Sequence, residues 1–218
     1  MFPFPFFLTV YAGFAHAFET DHLLAVSNIV SQRNSTLKSV KDGVFWGLGH
    51  TSTILLMGVI MLLLKVRVSP AYFHYVETAV GIILVALGLF RLFKLKGFLS
   101  AIKVETPAVQ MVAVTNTGLK KLHLVSYGVG MVHGLAGSGE LLLLVMLQMA
   151  SLQMGMLYLL IFGIGSIFGM LVAAAMFSLP FSKKILKSRL LQVTLILLSS
   201  LLCIGFGMSV IYKNLFAI

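Results

Sequence analysis

The composition of this 218-residue chain excludes a soluble globular protein. Apolar residues make up 59% of it and charged residues 10%, against about 45–50% and about 25% in soluble domains. The mean hydropathy of +1.04 indicates a protein that lies in a lipid bilayer. The net charge of +10 does not indicate a nucleic-acid partner, because basic residues of membrane proteins gather in cytoplasmic loops beside anionic lipid. The single cysteine excludes an internal disulfide and a paired-thiol redox couple.

Six apolar segments follow one another along the chain, each close to the about 20 residues that cross a bilayer. The loops after the first, third and fifth segments, counted together with Arg91 at the end of the third, hold thirteen of the sixteen Lys and Arg residues. The positive-inside rule therefore predicts a multi-pass protein of the cell (inner) membrane, with both termini outside and these three loops in the cytoplasm. The segments are 4–30, 43–64, 74–93, 122–149, 154–180 and 190–212.

The two halves of the chain repeat a pattern of glycine and histidine. The sequence Gly-Phe-Ala-His at 13–16 is matched by Gly-Met-Val-His at 130–133, and the Gly-x-Gly that ends 45–49 is matched at 161–165. Each half has three predicted crossings, an odd number, so the second copy must lie upside down relative to the first. We predict an all-α integral membrane protein with six transmembrane helices arranged as two inverted three-helix repeats. The predicted units are 1–97 for the first repeat, 98–119 for a cytoplasmic loop and 120–218 for the second repeat.

Ionisable side chains are concentrated in three of the apolar segments, although each costs about 2.5–3.5 kcal/mol at the centre of a bilayer. Asp42 and Glu105, in contrast, fall in predicted loops. Buried polar residues can serve as interhelical contacts, but imidazoles with carboxylates also form the ligand set of Ni²⁺, Co²⁺, Zn²⁺ and Cu²⁺. Such imidazoles bind a metal only when neutral and release it on protonation. The candidate metal-site residues are His16, Asp21, His22, His50 and His133, and the candidate supporting or proton-exchange residues are Glu19, Thr51, Ser138 and Glu140.

The spacing within the first segment limits which side chains can face one ion. At about 100° per residue, His16, Glu19 and His22 share an arc of about 120°, while Asp21 points to nearly the opposite side. Either Asp21 acts from outside the ligand set or toward another helix, or the helix is unwound between Glu19 and Asp21, as transporter helices are at their sites.

The fourth segment carries the repeat equivalent of the first histidine. His133 corresponds to His16, so we expect it at the same central site. Glu140 lies about 10 Å further along the helix axis and cannot easily bind the same ion. We therefore expect Glu140 to exchange a proton for the metal on the outward path, or else to pair with a neighbouring side chain.

Two motifs resemble those of the nickel/cobalt transporter family. His-Ala-Phe-Glu-Thr-Asp-His at 16–22 matches the family's His-x4-Asp-His signature, and Gly-Leu-Gly-His-Thr-Ser at 47–52 is similar to its second motif. Six helices and the His-Gly-Leu-Ala-Gly-Ser-Gly of 133–139 resemble the shorter, urease-accessory (UreH-like) branch. The family usually has Asp where this chain has Glu19. The resemblance implies a permease that takes up Ni²⁺ or Co²⁺, often for urease or hydrogenase maturation, although some relatives export.

Three functions fit these observations. We favour transport of a divalent transition-metal ion, with the metal as cargo and no cofactor, over an enzyme. The alternatives are an intramembrane zinc-dependent hydrolase, with Asp21 or Glu140 as base, and a structural or accessory membrane subunit. The chain has no Gly-x4-Gly-Lys-Ser/Thr loop, so we do not expect it to hydrolyse ATP. The choice of metal, the direction, the coupling ion and any homo-oligomer or accessory subunit stay open.

Overall fold

The fold of the chain is all-helical, as predicted. The computed structural model describes residues 6–33, 35–64, 70–100, 116–136, 151–181 and 189–216. The candidates Ser138 and Glu140 lie outside these ranges. Within them, the α-helices are α1 (Phe6–His16), α2 (Thr20–Val30), α3 (Thr36–Leu64), α4 (Pro70–Ser100), α5 (Asn116–Ala136), α6 (Leu152–Ser178) and α7 (Arg189–Phe216), and a 3-10 turn at Leu179–Phe181 follows α6.

Four of the described helices are long and apolar enough to cross a membrane. They carry large apolar side chains on their outer faces, such as Leu56, Phe93 and Phe168, which are 58%, 66% and 59% exposed. A surface of this kind is stable in lipid and not in water. The chain is therefore a multi-pass membrane protein. The four spans are Thr36–Met61, His74–Leu95, Leu152–Phe181 and Val193–Phe216.

The first predicted segment, 4–30, is not one continuous helix. α1 ends at His16 and α2 begins at Thr20, with a tight turn between them. Glu19 has an extended backbone (φ −63°, ψ 153°) and is the N-cap residue of α2. The helix is interrupted, as one of the two alternatives had it, but the break lies at Ala17–Glu19 and not between Glu19 and Asp21, which is in the first turn of α2. With 11 residues each, α1 and α2 are each about 16 Å long, which is too short to cross the bilayer alone.

Two predicted boundaries also differ from the observed helices. α3 begins at Thr36, so Asp42 lies inside a helix and is 1% exposed; assigning it to a loop was wrong. α4 continues to Ser100 and α5 begins at Asn116, so each helix extends into the loop predicted at 98–119.

Helices from the two halves pack through glycines, and the contacts are reciprocal. A Cβ atom on Gly13 would overlap the carbonyl oxygen of Phe162, and one on Gly130 would overlap that of Trp46. Only glycine lets two helix backbones approach this closely. These two contacts are counterparts of each other, since their residues are 116 or 117 positions apart, which is the offset of the glycine and histidine pattern in the sequence. The same reciprocity pairs Gly49 with Tyr127 and Gly165 with Val10, and it pairs Gly47 with Ile167 and Gly163 with Thr51.

The register of these contacts gives the directions of the helices. Val10 meets Gly165 and Phe14 meets Gly169, so residue numbers rise together and α1 runs parallel to α6. By the same criterion α3 runs parallel to α5, whereas α3 is antiparallel to α6 and α4 is antiparallel to α7. In this bundle α3 is packed between α5 and α6. α2 continues the chain from α1 within the same bundle.

Candidate metal centre

Four histidines meet where α1, α2, α3 and α5 come together. His16, His22, His50 and His133 are 8%, 1%, 0% and 0% exposed. The centroid of the His22 ring lies 4.7, 5.4 and 5.1 Å from those of the other three, in the same order. The four predicted histidines thus converge on one buried place, although they come from four helices.

Three of these imidazoles are arranged as ligands of one ion would be. His16, His22 and His50 each offer a nitrogen within 4.8 Å of the nitrogens of the other two. The Nε2 atoms of His16 and His50 are 3.2 Å apart. Two nitrogens about 2.0–2.1 Å from one tetrahedral zinc ion are about 3.3–3.4 Å from each other. This one pair, whose nitrogens are also within hydrogen-bond distance of each other, is spaced as two ligands of a small transition-metal ion would be.

Two carboxylates orient the rings of this group. His16 Nδ1 lies 2.8 Å from Glu19 Oε1, and His22 Nδ1 lies 3.0 Å from Asp21 Oδ1. A carboxylate only accepts hydrogen bonds, so Nδ1 carries the hydrogen in each ring and Nε2 keeps its lone pair. This arrangement of carboxylate and histidine is the usual one behind a metal ligand. Glu19 remains beside His16 although the turn at Ala17–Glu19 separates α1 from α2.

His133 stands beside this group, within reach of Asp21. Its Nδ1 donates to the carbonyl oxygen of Val129 (2.9 Å), which leaves Nε2 as an acceptor. That Nε2 lies 3.9 Å from Asp21 Oδ2. Asp21 therefore faces His22 with one oxygen and His133 with the other.

Several ring nitrogens of the centre are buried without a hydrogen-bond partner among the residues described. They are Nε2 of His22, Nδ1 of His50 and Nε2 of His133. Leaving a buried polar atom unpaired costs about 1–3 kcal/mol. Nε2 of His22 and Nε2 of His133 can bind a ligand, because their Nδ1 atoms already contact Asp21 and Val129. Nδ1 of His50 is the ring nitrogen that does not face His16.

The predicted supporting residues separate in the structure. Glu19 contacts the centre directly and is 54% exposed. Thr51 does not turn toward the histidines; its hydroxyl donates to the carbonyl oxygen of Gly163 (3.2 Å) and joins α3 to α6.

Sequence reasoning missed two aromatic residues at the centre. Trp46 stacks on His22 with ring centroids 5.7 Å apart and planes 8° apart, and its edge meets His133 at 5.5 Å. Phe162 meets His16 at 5.5 Å. The signal was present, because Trp46 is one helical turn before His50 on the same face of α3.

Comparison with known proteins gives a family. The family described as "Cytochrome C biogenesis protein transmembrane region" matches residues 12–209. Urease accessory protein UreH of Bacillus sp. (strain TB-90) is 37% identical over 182 residues, which cover 82% of this chain and 78% of that protein. Chloroplast proteins FOR GROWTH AND FERTILITY 1 and 2 of Arabidopsis thaliana are 28% and 27% identical over 94% of this chain.

The chain covers most of the length of UreH but only part of the length of the chloroplast proteins. This chain spans 58% and 55% of the length of the two chloroplast proteins. No solved structure matches the chain. Because the family match covers most of its length and UreH is similar over most of both proteins, the chain belongs to the cytochrome c biogenesis transmembrane-region family and is a UreH-like member of it.

Proposed function

We propose that this protein carries a divalent transition-metal ion, nickel or cobalt, across the membrane by alternating exposure of the His16, His22 and His50 site. The observation that carries the proposal is the group of three buried imidazoles whose ligand nitrogens lie within 4.8 Å of one another. Similarity to a urease accessory protein and the motif resemblance to the nickel/cobalt transporter family support the choice of metal. Borderline imidazole ligands suit both ions.

The origin of the ligands supports a mobile cargo. His16 ends α1, His22 lies in the first turn of α2, and His50 is inside α3. A movement of α2 about the turn at Ala17–Glu19 would therefore take the ligand set apart and release the ion. Broken helices serve transporters in this way.

A second group of ligands gives the ion a path to the site. Glu19, Asp21 and His22 also offer ligand atoms within 4.8 Å of one another. Glu19 and Asp21 are 54% and 22% exposed, whereas His22 is buried. An ion held first by the carboxylates would lie beside His22 and can pass from there to the imidazoles.

Alternating access also draws on the inverted repeat, which is part of this proposal. The reciprocal glycine contacts and the parallel course of α1 with α6 and of α3 with α5 support it. Two inverted halves that rock against each other expose a central site to each side of the membrane in turn. On the charge distribution of the loops, both termini lie outside and the turn between α2 and α3 is cytoplasmic.

The alternative functions have less support. Three histidines could hold Zn²⁺ for a hydrolase, but a substrate needs a cleft at the metal. Among the described residues, a cavity of about 240 Å³ lies away from the histidines, between α2, the turn at Leu179–Phe181 and α7, and its lining is almost entirely apolar. A role in thiol–disulfide exchange needs two cysteines. This chain has one, Cys203, and it is buried.

Ion flux into liposomes separates the three functions. The protein is reconstituted into vesicles that hold a metal-sensitive dye, and Ni²⁺ or Co²⁺ is added outside while metal binding is measured on the same sample. A transporter binds the ion and fills the vesicles, whereas a hydrolase binds it without flux. An accessory subunit neither binds the ion nor fills the vesicles. If neither Ni²⁺ nor Co²⁺ enters the vesicles, the proposal is overturned.

A further inference from the structure

A second buried polar cluster lies at the far end of α2. The guanidinium of Arg33 donates from Nε and Nη2 to both carboxylate oxygens of Asp42. His123 of α5 contacts the same carboxylate, with Nδ1 2.6 Å from Oδ1. Arg33 and Asp42 are 3% and 1% exposed. This ionic cluster is separate from the histidine centre, and it joins the end of α2 to α3 and α5.

The ionic cluster is in line with the histidine centre along the bundle. On α3, Asp42, Trp46 and His50 follow one another at intervals of one turn on one face, over about 12 Å. On α2, Ile29 follows His22 by two turns on the same face, and Arg33 lies just beyond the end of the helix. Trp46 and Ile29 are both 1% exposed and belong to one apolar cluster. The order along the bundle is thus histidines, apolar layer, ionic cluster.

The apolar layer has an equivalent on the opposite side of the centre. Trp46 meets His133 with ring centroids 5.5 Å apart, and Phe162 meets His16 at the same distance. These residues correspond at the repeat offsets of 116 and 117. Each of the two equivalent histidines is therefore covered by an aromatic ring from the other half of the chain: Trp46 covers His133, and Phe162 covers His16.

The next layer is also equivalent in position, but its chemistry differs. Asp42 and His123 correspond to Tyr158 and Phe6 at the same offsets. The rings of Phe6 and Tyr158 are in contact, with centroids 5.7 Å apart. The two equivalent pairs thus make contact at opposite ends of the centre. Asp42 and His123 meet through charged or polar groups, and Phe6 and Tyr158 meet through aromatic rings.

We infer that Arg33, Asp42 and His123 form the gate that closes the pathway on the side of the α2–α3 turn, and that Phe6 and Tyr158 form the opposite gate. The inference rests on the proposed transport function. A fixed guanidinium in a narrow path repels a divalent cation. While Arg33 is paired with Asp42, α2 is held against α3 and the apolar layer stays closed.

Opening has a defined chemical consequence. When the end of α2 leaves α3, Arg33 separates from Asp42 and exposes Oδ2, which can attract the departing ion, while Oδ1 keeps its contact with His123. α4 assists the closed state, because Arg91 Nη2 donates to the carbonyl oxygen of Ser31 (2.7 Å) and Lys94 Nζ donates to Gln32 Oε1 (3.2 Å). A purely structural ion pair would stay intact throughout the cycle.

Cysteine accessibility tests the gate without any metal. A reporter Ile29→Cys is placed in the apolar layer of a Cys203→Ala protein, and vesicles of both orientations are treated with a membrane-impermeant thiol reagent. We expect Asp42→Asn and Arg33→Gln each to raise the labelling rate at least tenfold, from the side of the α2–α3 turn alone. The double exchange Arg33→Asp with Asp42→Arg should restore protection. Lys38→Gln, which removes an exposed charge at the same end, is the matched control and should leave labelling unchanged.

Other outcomes overturn the gate. Unchanged labelling in both single variants would show that the ionic cluster does not close the path. Equal gains from both sides, or loss of folded protein in both single variants, would show that the cluster only holds the fold together. If the wild type binds no metal, the transport function fails, while the labelling pattern still decides whether the cluster closes one side.

Discussion

Replacing His22 with alanine is the most informative change at the centre. His22 belongs to both groups of ligands, and its Nε2 is buried without a partner among the described residues. No other described side chain belongs to both groups. We therefore expect His22→Ala to weaken metal binding more than loss of any other single side chain.

The size of the effect follows from the number of ligands. Structural zinc sites with four ligands bind with about 10–16 kcal/mol, so one ligand contributes about 3–4 kcal/mol. At about 1.4 kcal/mol for each tenfold change, the Kd for Ni²⁺ or Co²⁺ should rise about 10²- to 10³-fold.

The chain carries its own reporter for this measurement. Trp46 is its single tryptophan and stacks on His22 at 5.7 Å, so paramagnetic Ni²⁺ or Co²⁺ at the centre should quench its fluorescence. His74→Ala is the matched control, because His74 is exposed and bonded to Asn214 on α7. A Kd for His22→Ala within threefold of the wild type would refute the ligand assignment.

Three further predictions test the orienting carboxylate, the packing and the topology. Asp21→Ala should weaken binding about 10- to 100-fold, as loss of a partner behind a ligand does; an unchanged Trp46 titration would contradict this role. Gly130→Val should destabilise the protein by about 1–3 kcal/mol or more, because a side chain there overlaps the α3 backbone. The matched Gly205→Val has open space around it, and equal melting temperatures in detergent would refute the packing argument. A cysteine at Thr36 in a cysteine-free protein should be labelled from the cytoplasm alone. Labelling from outside would show that the topology is the reverse of the predicted one.

The convergence of the histidines was predictable because the repeat and the motifs both depend on local spacing. His16 and His133 align in sequence, and the structure brings both to one place. The form of the first segment was not predictable, since the 100° spacing of His16, Glu19 and Asp21 suits both a continuous and a broken helix.

Charge patterns alone did not reveal the ionic cluster: Asp42 was wrongly assigned to a loop, and Arg33 lies between α2 and α3 as expected but is buried. Arg33 and Asp42 stand in a stretch rich in basic residues, which is typical of an exposed loop, yet both are buried. Their partner His123 is 81 residues beyond Asp42 in sequence, so only the tertiary packing of α5 against α3 brings them together. Trp46 was missed for a related reason: an aromatic residue in an apolar segment can face lipid, core or site, and its own sequence position does not distinguish them.

Exchange of radiolabelled nickel across a liposome membrane tests alternating access most directly. Vesicles that contain the protein are loaded with unlabelled Ni²⁺, and labelled Ni²⁺ is added outside at low concentration. A single site that faces each side in turn can return loaded with internal ion, so unlabelled Ni²⁺ inside should accelerate labelled uptake, and His22→Ala should abolish the acceleration. Uptake that is the same with and without internal Ni²⁺, or that persists in His22→Ala, would contradict transport through this histidine centre.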